Sequence, residues 1–196
     1  MSIQVNGANK RIGLALSGGG FRAAAFHLGV MRELAAFGLL DKIDLFTCVS
    51  GGSIAGATVA LNWSRADKLD LLEQFLSSRS IAVSSVLGGA LDPFSSRIEK
   101  LAQSYDTHLF QNRRMSSFKA GPRIYLNATN LATGNLFFFV AGGGQDTVMG
   151  EHELGTSSAS DFPISHAVAA SSAFPRCSHR CASTPRPTHR RWPPSM

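Results

Sequence analysis

The chain has little cysteine: three residues in 196, at positions 48, 177 and 181. An odd number with no framework spacing excludes a disulfide-stapled scaffold. Tyrosine and tryptophan are equally scarce, two of each against thirteen phenylalanines, so few interior rings carry a polar handle. Charged residues make up only 16% and apolar ones 44%, a balance that reads as globular and not disordered. No basic-then-apolar leader opens the chain, because residues 6–11 are polar, and no internal repeat is visible. Two uncharged runs, 45–64 and 124–145, reach the length of about 20 residues that a membrane span needs. Ser50, Gly51, Gly52, Ser53, Thr58 and Asn62 interrupt the first, and Asn127, Asn130, Asn135 and several glycines the second. Both read as buried elements of a soluble, cytoplasmic protein.

The net charge of +6 is concentrated at one end. Residues 176–196 contain five arginines and no acidic residue, which leaves 14 basic and 13 acidic residues in the body. A near-neutral body gives no basic field for nucleic acid, so no nucleic-acid partner is expected. The stretch 176–196 also lacks Ile, Leu, Val and Phe, so it cannot build a core and reads as a disordered basic tail. Cys177, His179, Cys181 and His189 are zinc-ligand types, but their tight spacing matches no common tetrahedral site. No metal and no cofactor are expected.

Upstream of the tail, strands and helices alternate. Residues 12–16 read as a short buried strand, broken by glycines at 18–20. From Phe21, Ala24, Leu28, Met31 and Ala35 recur at i, i+4, i+7 and i+11, a helical stripe with Gly38 as its C-terminal stop. A second strand is expected at 45–49 and a second helix at 54–63. A third helix follows Asp67 as its cap; 79–91 has no clear period, and Pro93 suits the first turn of a helix to about Ser104. Strands are expected at 123–129 and 136–140, a glycine-rich loop at 142–155, and a helix from Pro163 through Ser171. Such alternation favours an α/β sheet, mostly parallel, with helices on both faces.

Two motifs carry chemistry. Cys48-Val49-Ser50-Gly51-Gly52 joins an apolar strand to a helix-compatible stretch, the arrangement of a nucleophile elbow, with Cys48 where that pattern has glycine. Ser50 is therefore the candidate nucleophile, and the alternative is a small residue in a tight turn. Ser53 is a rival serine in the same segment, one turn into the helix. The second motif is Ser17-Gly18-Gly19-Gly20-Phe21-Arg22. Glycines at a strand-to-helix junction leave backbone N–H groups uncovered for an anion, a phosphate or a developing alkoxide. Arg22 adds a cation on a first turn where the helix dipole disfavours one, which points to function. Gly18, Gly20 and Ala23 also fit the dinucleotide pattern G-x-G-x-x-G/A, but the acid that pattern wants at the end of the second strand is absent, Asp44 preceding it instead.

Together these two motifs resemble the patatin-like phospholipase family, with Gly18-Gly19-Gly20-Phe21-Arg22 in the place of its oxyanion loop and Ser50 in the place of its elbow nucleophile. Weaker echoes follow at 127–134 (Asn-Ala-Thr-Asn-Leu-Ala-Thr-Gly) and 167–175 (Ala-Val-Ala-Ala-Ser-Ser-Ala-Phe-Pro). The resemblance implies a three-layer sandwich over residues 10–175 and a lipid or other acyl-ester substrate. It also implies hydrolysis through Ser50, with Gly18, Gly19, Gly20, Phe21 and Arg22 around the oxyanion, and peripheral membrane contact. Family members use a Ser–Asp dyad, so His27, His108, His152 and His166 need no catalytic role.

The dyad Asp of the family lies in an Asp-Gly motif downstream of the second echo. No Asp in this chain is followed by Gly, and Asp161 precedes that echo, so no dyad Asp is assigned. A serine hydroxyl without a base is a weak nucleophile, and impaired activity is expected. The abrupt change of composition at Pro175 reads as a frameshift or truncation. Two alternatives remain open: a non-catalytic lipid-binding remnant, and a phosphate- or nucleotide-binding protein using the glycines at 18–20.

Overall fold

A computed structural model of the chain describes residues 3–5, 8–79 and 97–173. A short antiparallel hairpin, β1 (Ile3–Val5) and β2 (Ala8–Lys10), stands apart from the main sheet. Then come β3 (Gly13–Leu16), α1 (Gly20–Ala36), β4 (Leu45–Val49), α2 (Gly51–Leu61) and α3 (Lys68–Arg79). After the undescribed residues, α4 (Arg97–Tyr105) runs into a π-helical turn (Asp106–Phe110). The chain continues through β5 (Arg123–Thr129), β6 (Leu136–Ala141), β7 (Val148–Glu151), β8 (Gly155–Ser158) and α5 (Ile164–Ser172).

The six strands β3 to β8 form one sheet in sequence order. β3, β4 and β5 pair in parallel, and each later neighbour is antiparallel. The fold is therefore α/β with a mixed sheet, and its parallel half carries Ser50 and the glycines at 18–20. One register row, Leu16, Cys48, Leu126 and Phe139, crosses four strands and is buried throughout. α2 lies over β3, β4 and β5, α5 lies over β5, and α1 and α3 pack on α2. Both parallel crossovers advance the same way across the sheet, and right-handed connections then place their helices on the same face. On the other face Ala15 and Val49 are exposed, and Thr47, Tyr125 and Asn127 half-buried.

Local sequence explains the boundaries. The stripe of α1 buries Ala24, Leu28 and Met31, and a fully buried Leu or Met contributes about 1.5–3 kcal/mol. Its end is a paired-bond stop: Gly38 at φ 65° donates to the Ala35 carbonyl, and Leu39 donates to that of Leu34. Asp67 directly precedes α3, and its carboxylate binds Arg65. α2 is buried at all positions from 51 to 60, which accounts for the uncharged run there. No helix among the described residues is long and apolar enough to cross a membrane.

The expected loop at 142–155 is in part a pair of strands. Gly142, Gly143 and Gly144 all have positive φ and make the reversal after β6, but β7 and β8 follow. Both are four residues long, and every residue of β8 is exposed, so neither shows an apolar alternation. Gly150 sits inside β7 because a Cβ there would meet the Gly155 carbonyl oxygen at 2.2 Å. The hairpin β1–β2 was equally silent in the sequence. The expected helix from Pro93 begins outside the described residues and appears from Arg97; most of 79–91 and all of the tail, with Cys177, His179, Cys181 and His189, lie outside them too.

Candidate active site

β4 ends at Val49 and α2 begins at Gly51, so the reversal is made at Ser50 alone, with φ 54° and ψ −117°. A non-glycine residue in that region costs of order 1–3 kcal/mol and persists only where its surroundings enforce it. The Ser50 N–H donates to Ser171 Oγ at 3.0 Å, and the Ser50 carbonyl accepts the N–H groups of Ser53 and Ile54. The Ser171 hydroxyl donates to the Asn127 carbonyl at 2.6 Å. A carbonyl only accepts, so the single Ser171 proton is committed there. The buried Ser53 hydroxyl, 2.7 Å away, must then be the donor to Ser171. Ser53 is a clamp for the turn, and its hydroxyl is buried and engaged there. Ser50 itself is half-buried, and among the described residues no hydrogen bond reaches its Oγ.

Glycine is required here by close approach. A Cβ at Gly51 would stand 2.1 Å from the Gly20 carbonyl oxygen, and one at Gly52 would stand 2.1 Å from that of Leu16. A Cβ at Gly18 would meet Ser50 Cβ at 3.3 Å. The loop at 18–20 thus lies directly against the elbow. Gly19 and Gly20 have φ of 138° and 64°, and α1 starts at Gly20 with no side-chain cap and no acid in its first turn. Its first N–H groups are left without intrahelical partners, and the loop is exposed.

The flanking residues divide in role. Phe21 packs its ring on Phe75 of α3, with centroids 5.7 Å apart, anchoring the start of α1. Arg22 is exposed and has no ion pair among the described residues. His27 is buried, and its Nε2–H donates to the Ser17 carbonyl at 2.9 Å, so it braces the glycine loop from within α1. Cys48 is fully buried and its thiol is pushed up by desolvation. It fits in the elbow because Gly56 on α2 leaves it room: a Cβ there would come within 2.5 Å of Cys48 Sγ.

The remaining candidates sit on elements other than the β4–α2 turn. His108 Nδ1–H donates to the Ser104 carbonyl at 2.7 Å. His166 is exposed and meets Phe162 edge-on, and His152 and Asp161 are exposed. The described residues contain no cluster of three or more His, Cys, Asp or Glu that could hold a metal ion. A polar cavity between α2, α3 and the π-turn is lined by Thr58, Asn62, Gln74 and Arg113, in the half of α2 remote from Ser50.

Ser171 and the Asn127 carbonyl escaped the sequence reading as parts of the site. Their signal was present in the two echoes at 127–134 and 167–175. Each supplies one partner of the clamp on Ser50.

A family model described as Patatin-like phospholipase matches residues 14–176. No curated protein matches the sequence. Among solved structures, the chain is similar to human GIVD cytosolic phospholipase A2 in complex with methyl gamma-linolenyl fluorophosphonate, at TM-score 0.55 and 17% identity. It is also similar to that enzyme with the same inhibitor and terbium chloride, at TM-score 0.54 and 17% identity. Both matches cover 83% of this chain and 29% of the other, and at that identity the likeness is one of fold.

Proposed function

Because the chain belongs to the patatin-like phospholipase family, we propose that it is organised to hydrolyse lipid acyl esters with Ser50 as the nucleophile. The observation that carries this reading is the contact of the exposed glycine loop with a serine held at φ 54° between β4 and α2. Ser50 Oγ bonds to the acyl carbonyl carbon, the ester C–O bond breaks, and the Ser50 proton leaves with the departing alcohol; water then cleaves the acyl-enzyme, releasing the acid and returning a proton to Ser50. The carbonyl oxygen becomes an oxyanion and needs preorganised donors. The Ser50 N–H is engaged with Ser171, so those donors are N–H groups of Gly19, Gly20 and their neighbours. Arg22 follows that loop on the first turn of α1 and adds positive charge at the same end of the sheet.

The weak point is the proton acceptor. No Asp is followed by Gly in the 196 residues, and no described side chain accepts from Ser50 Oγ. In triad enzymes, removal of a relay member leaves about 10³–10⁴-fold acceleration over water from the oxyanion site and binding. By that analogy the chain has weak, Ser50-dependent activity. Hydrolysis of a short-chain p-nitrophenyl ester by the chain and by Ser50→Ala tests the reading. A lower rate in the variant supports it, and equal rates overturn it.

The missing base favours a second reading, a lipid-binding protein without turnover, which predicts equal esterase rates together with retained binding of lipid. Nucleotide binding at the glycine loop finds less support. Asp44 stands before β4, and its carboxylate accepts the Ile12 N–H at 2.9 Å, far along the strand from where a ribose would sit.

A further inference from the structure

Two hairpin tips, residues 130–135 between β5 and β6 and residues 152–154 between β7 and β8, stand at the Ser50 end of the sheet. The register fixes this. Asn127 pairs with Val49 in parallel, Leu136 pairs with Thr129, and Glu151 pairs with both Phe137 and Gly155. On these tips Leu131, Leu136 and Leu154 are 75%, 60% and 73% exposed, although leucine is ordinarily withdrawn from water.

The first tip is held in one shape. Asn130 donates its backbone N–H to the Asn135 carbonyl at 2.9 Å, and its own carbonyl accepts the Gly134 N–H at 2.8 Å. Asn130 Oδ1 accepts the Ala132 N–H at 3.0 Å, and Thr133 Oγ1 accepts the Asn135 N–H at 3.2 Å. From β7, the buried Glu151 accepts from Asn130 Nδ2 at 2.7 Å and from the Thr133 hydroxyl at 3.2 Å on its Oε2; its Oε1 is buried without a partner among the described residues. Burying a carboxylate is costly, and here the group fastens the tip that displays Leu131 and Leu136.

We propose that Leu131, Leu136 and Leu154 form a lip that seats the Ser50 end of the sheet on a lipid surface. The proposal rests on the reading that the substrate is a lipid. Residues 130–136 carry no charge, so the first tip enters a headgroup layer without stripping water from an ion, while the exposed Glu153 beside Leu154 keeps the second tip shallower, at the level of the headgroups. Arg22, exposed on the first turn of α1 at the same end of the sheet, offers a cation to anionic headgroups. A second copy of the chain is a poor occupant. The three leucines of these two tips present a few hundred Å² at most, against about 800 Å² per partner in a standard protein interface.

The test is flotation of the whole chain with phosphatidylcholine vesicles containing phosphatidylserine. It compares the wild type, the triple variant Leu131→Ser/Leu136→Ser/Leu154→Ser, and Ser50→Ala. The wild type and Ser50→Ala are expected to float equally, and the triple variant to bind at least about tenfold more weakly, since three apolar insertions are lost. An unchanged thermal midpoint shows that the triple variant is folded; Leu131→Ser and Leu154→Ser alone, each at an exposed tip, are expected to weaken binding by smaller steps. The proposal is overturned if the wild type does not float, if the triple variant floats as well as the wild type, or if the leucines prove to hold a dimer that the triple variant dissociates. Failure of the hydrolase reading is seen separately, as equal ester hydrolysis by wild type and Ser50→Ala.

Discussion

The Ser171 hydroxyl accepts the backbone N–H of Ser50 at 3.0 Å, across 121 positions of sequence. Through this one contact the last described helix holds the strained turn at the end of β4. Because the Ser171 proton is directed at the Asn127 carbonyl, the clamp also fixes β5 against the turn. The position of Ser50 therefore depends on long-range pairing and not on the local turn alone.

Ser171→Ala is expected to leave the Ser50 N–H, the Ser53 hydroxyl and the Asn127 carbonyl without their shared partner. The loss should be about 1–3 kcal/mol of stability, the range for an unsatisfied buried group. Urea unfolding at neutral pH measures it, and a change under about 0.5 kcal/mol, the level of an ordinary surface substitution, would show that the clamp does not hold the turn.

The glycines of the site should respond differently to alanine. Gly52→Ala drives a methyl group into the Leu16 carbonyl at 2.1 Å, and overpacking of this kind costs about 1–3 kcal/mol or more. Gly20→Ala meets nothing within 4 Å and is disfavoured only by its φ of 64°, at about 1–2 kcal/mol. Gly52→Ala should thus unfold at the lower temperature in a thermal melt of the two variants.

Cys48 predicts a pH dependence. Burial raises its thiol above the ordinary value of 9.0, so the native state keeps a proton that the unfolded state loses. This contribution is fully present below pH 9 and is lost as pH rises beyond it, by up to about 1.4 kcal/mol per pH unit. Urea midpoints at pH 8 and pH 10 should fall more for the wild type than for Cys48→Ala. Equal slopes would show that the thiol is solvated in the native state.

Much of this architecture was legible because the residues that make it also punctuate it. Glycines at 18–20, Gly38 and the small residues of 51–57 mark turns and close approaches by composition alone, and the stripe of α1 has a clean helical period. Asn127 and Ser171 were visible only as echoes, because a hydroxyl reaching a carbonyl across the fold leaves no periodic trace. β7 and β8 were hidden for a different reason: β8 is an exposed edge strand with no buried side to alternate, and the residues that β7 buries are Gly150 and Glu151, types that do not mark a strand. The protrusion of Leu131, Leu136 and Leu154 was likewise unreadable, since a leucine in a turn looks the same whether it folds inward or out.

The central claim, that Ser50 is the reactive hydroxyl, is most directly tested with a lipid-like fluorophosphonate and peptide mass spectrometry. The account predicts slow covalent labelling confined to the peptide containing Ser50, retained in Ser53→Ala and abolished in Ser50→Ala. Labelling that persists in Ser50→Ala, or that maps to Ser53, would contradict it.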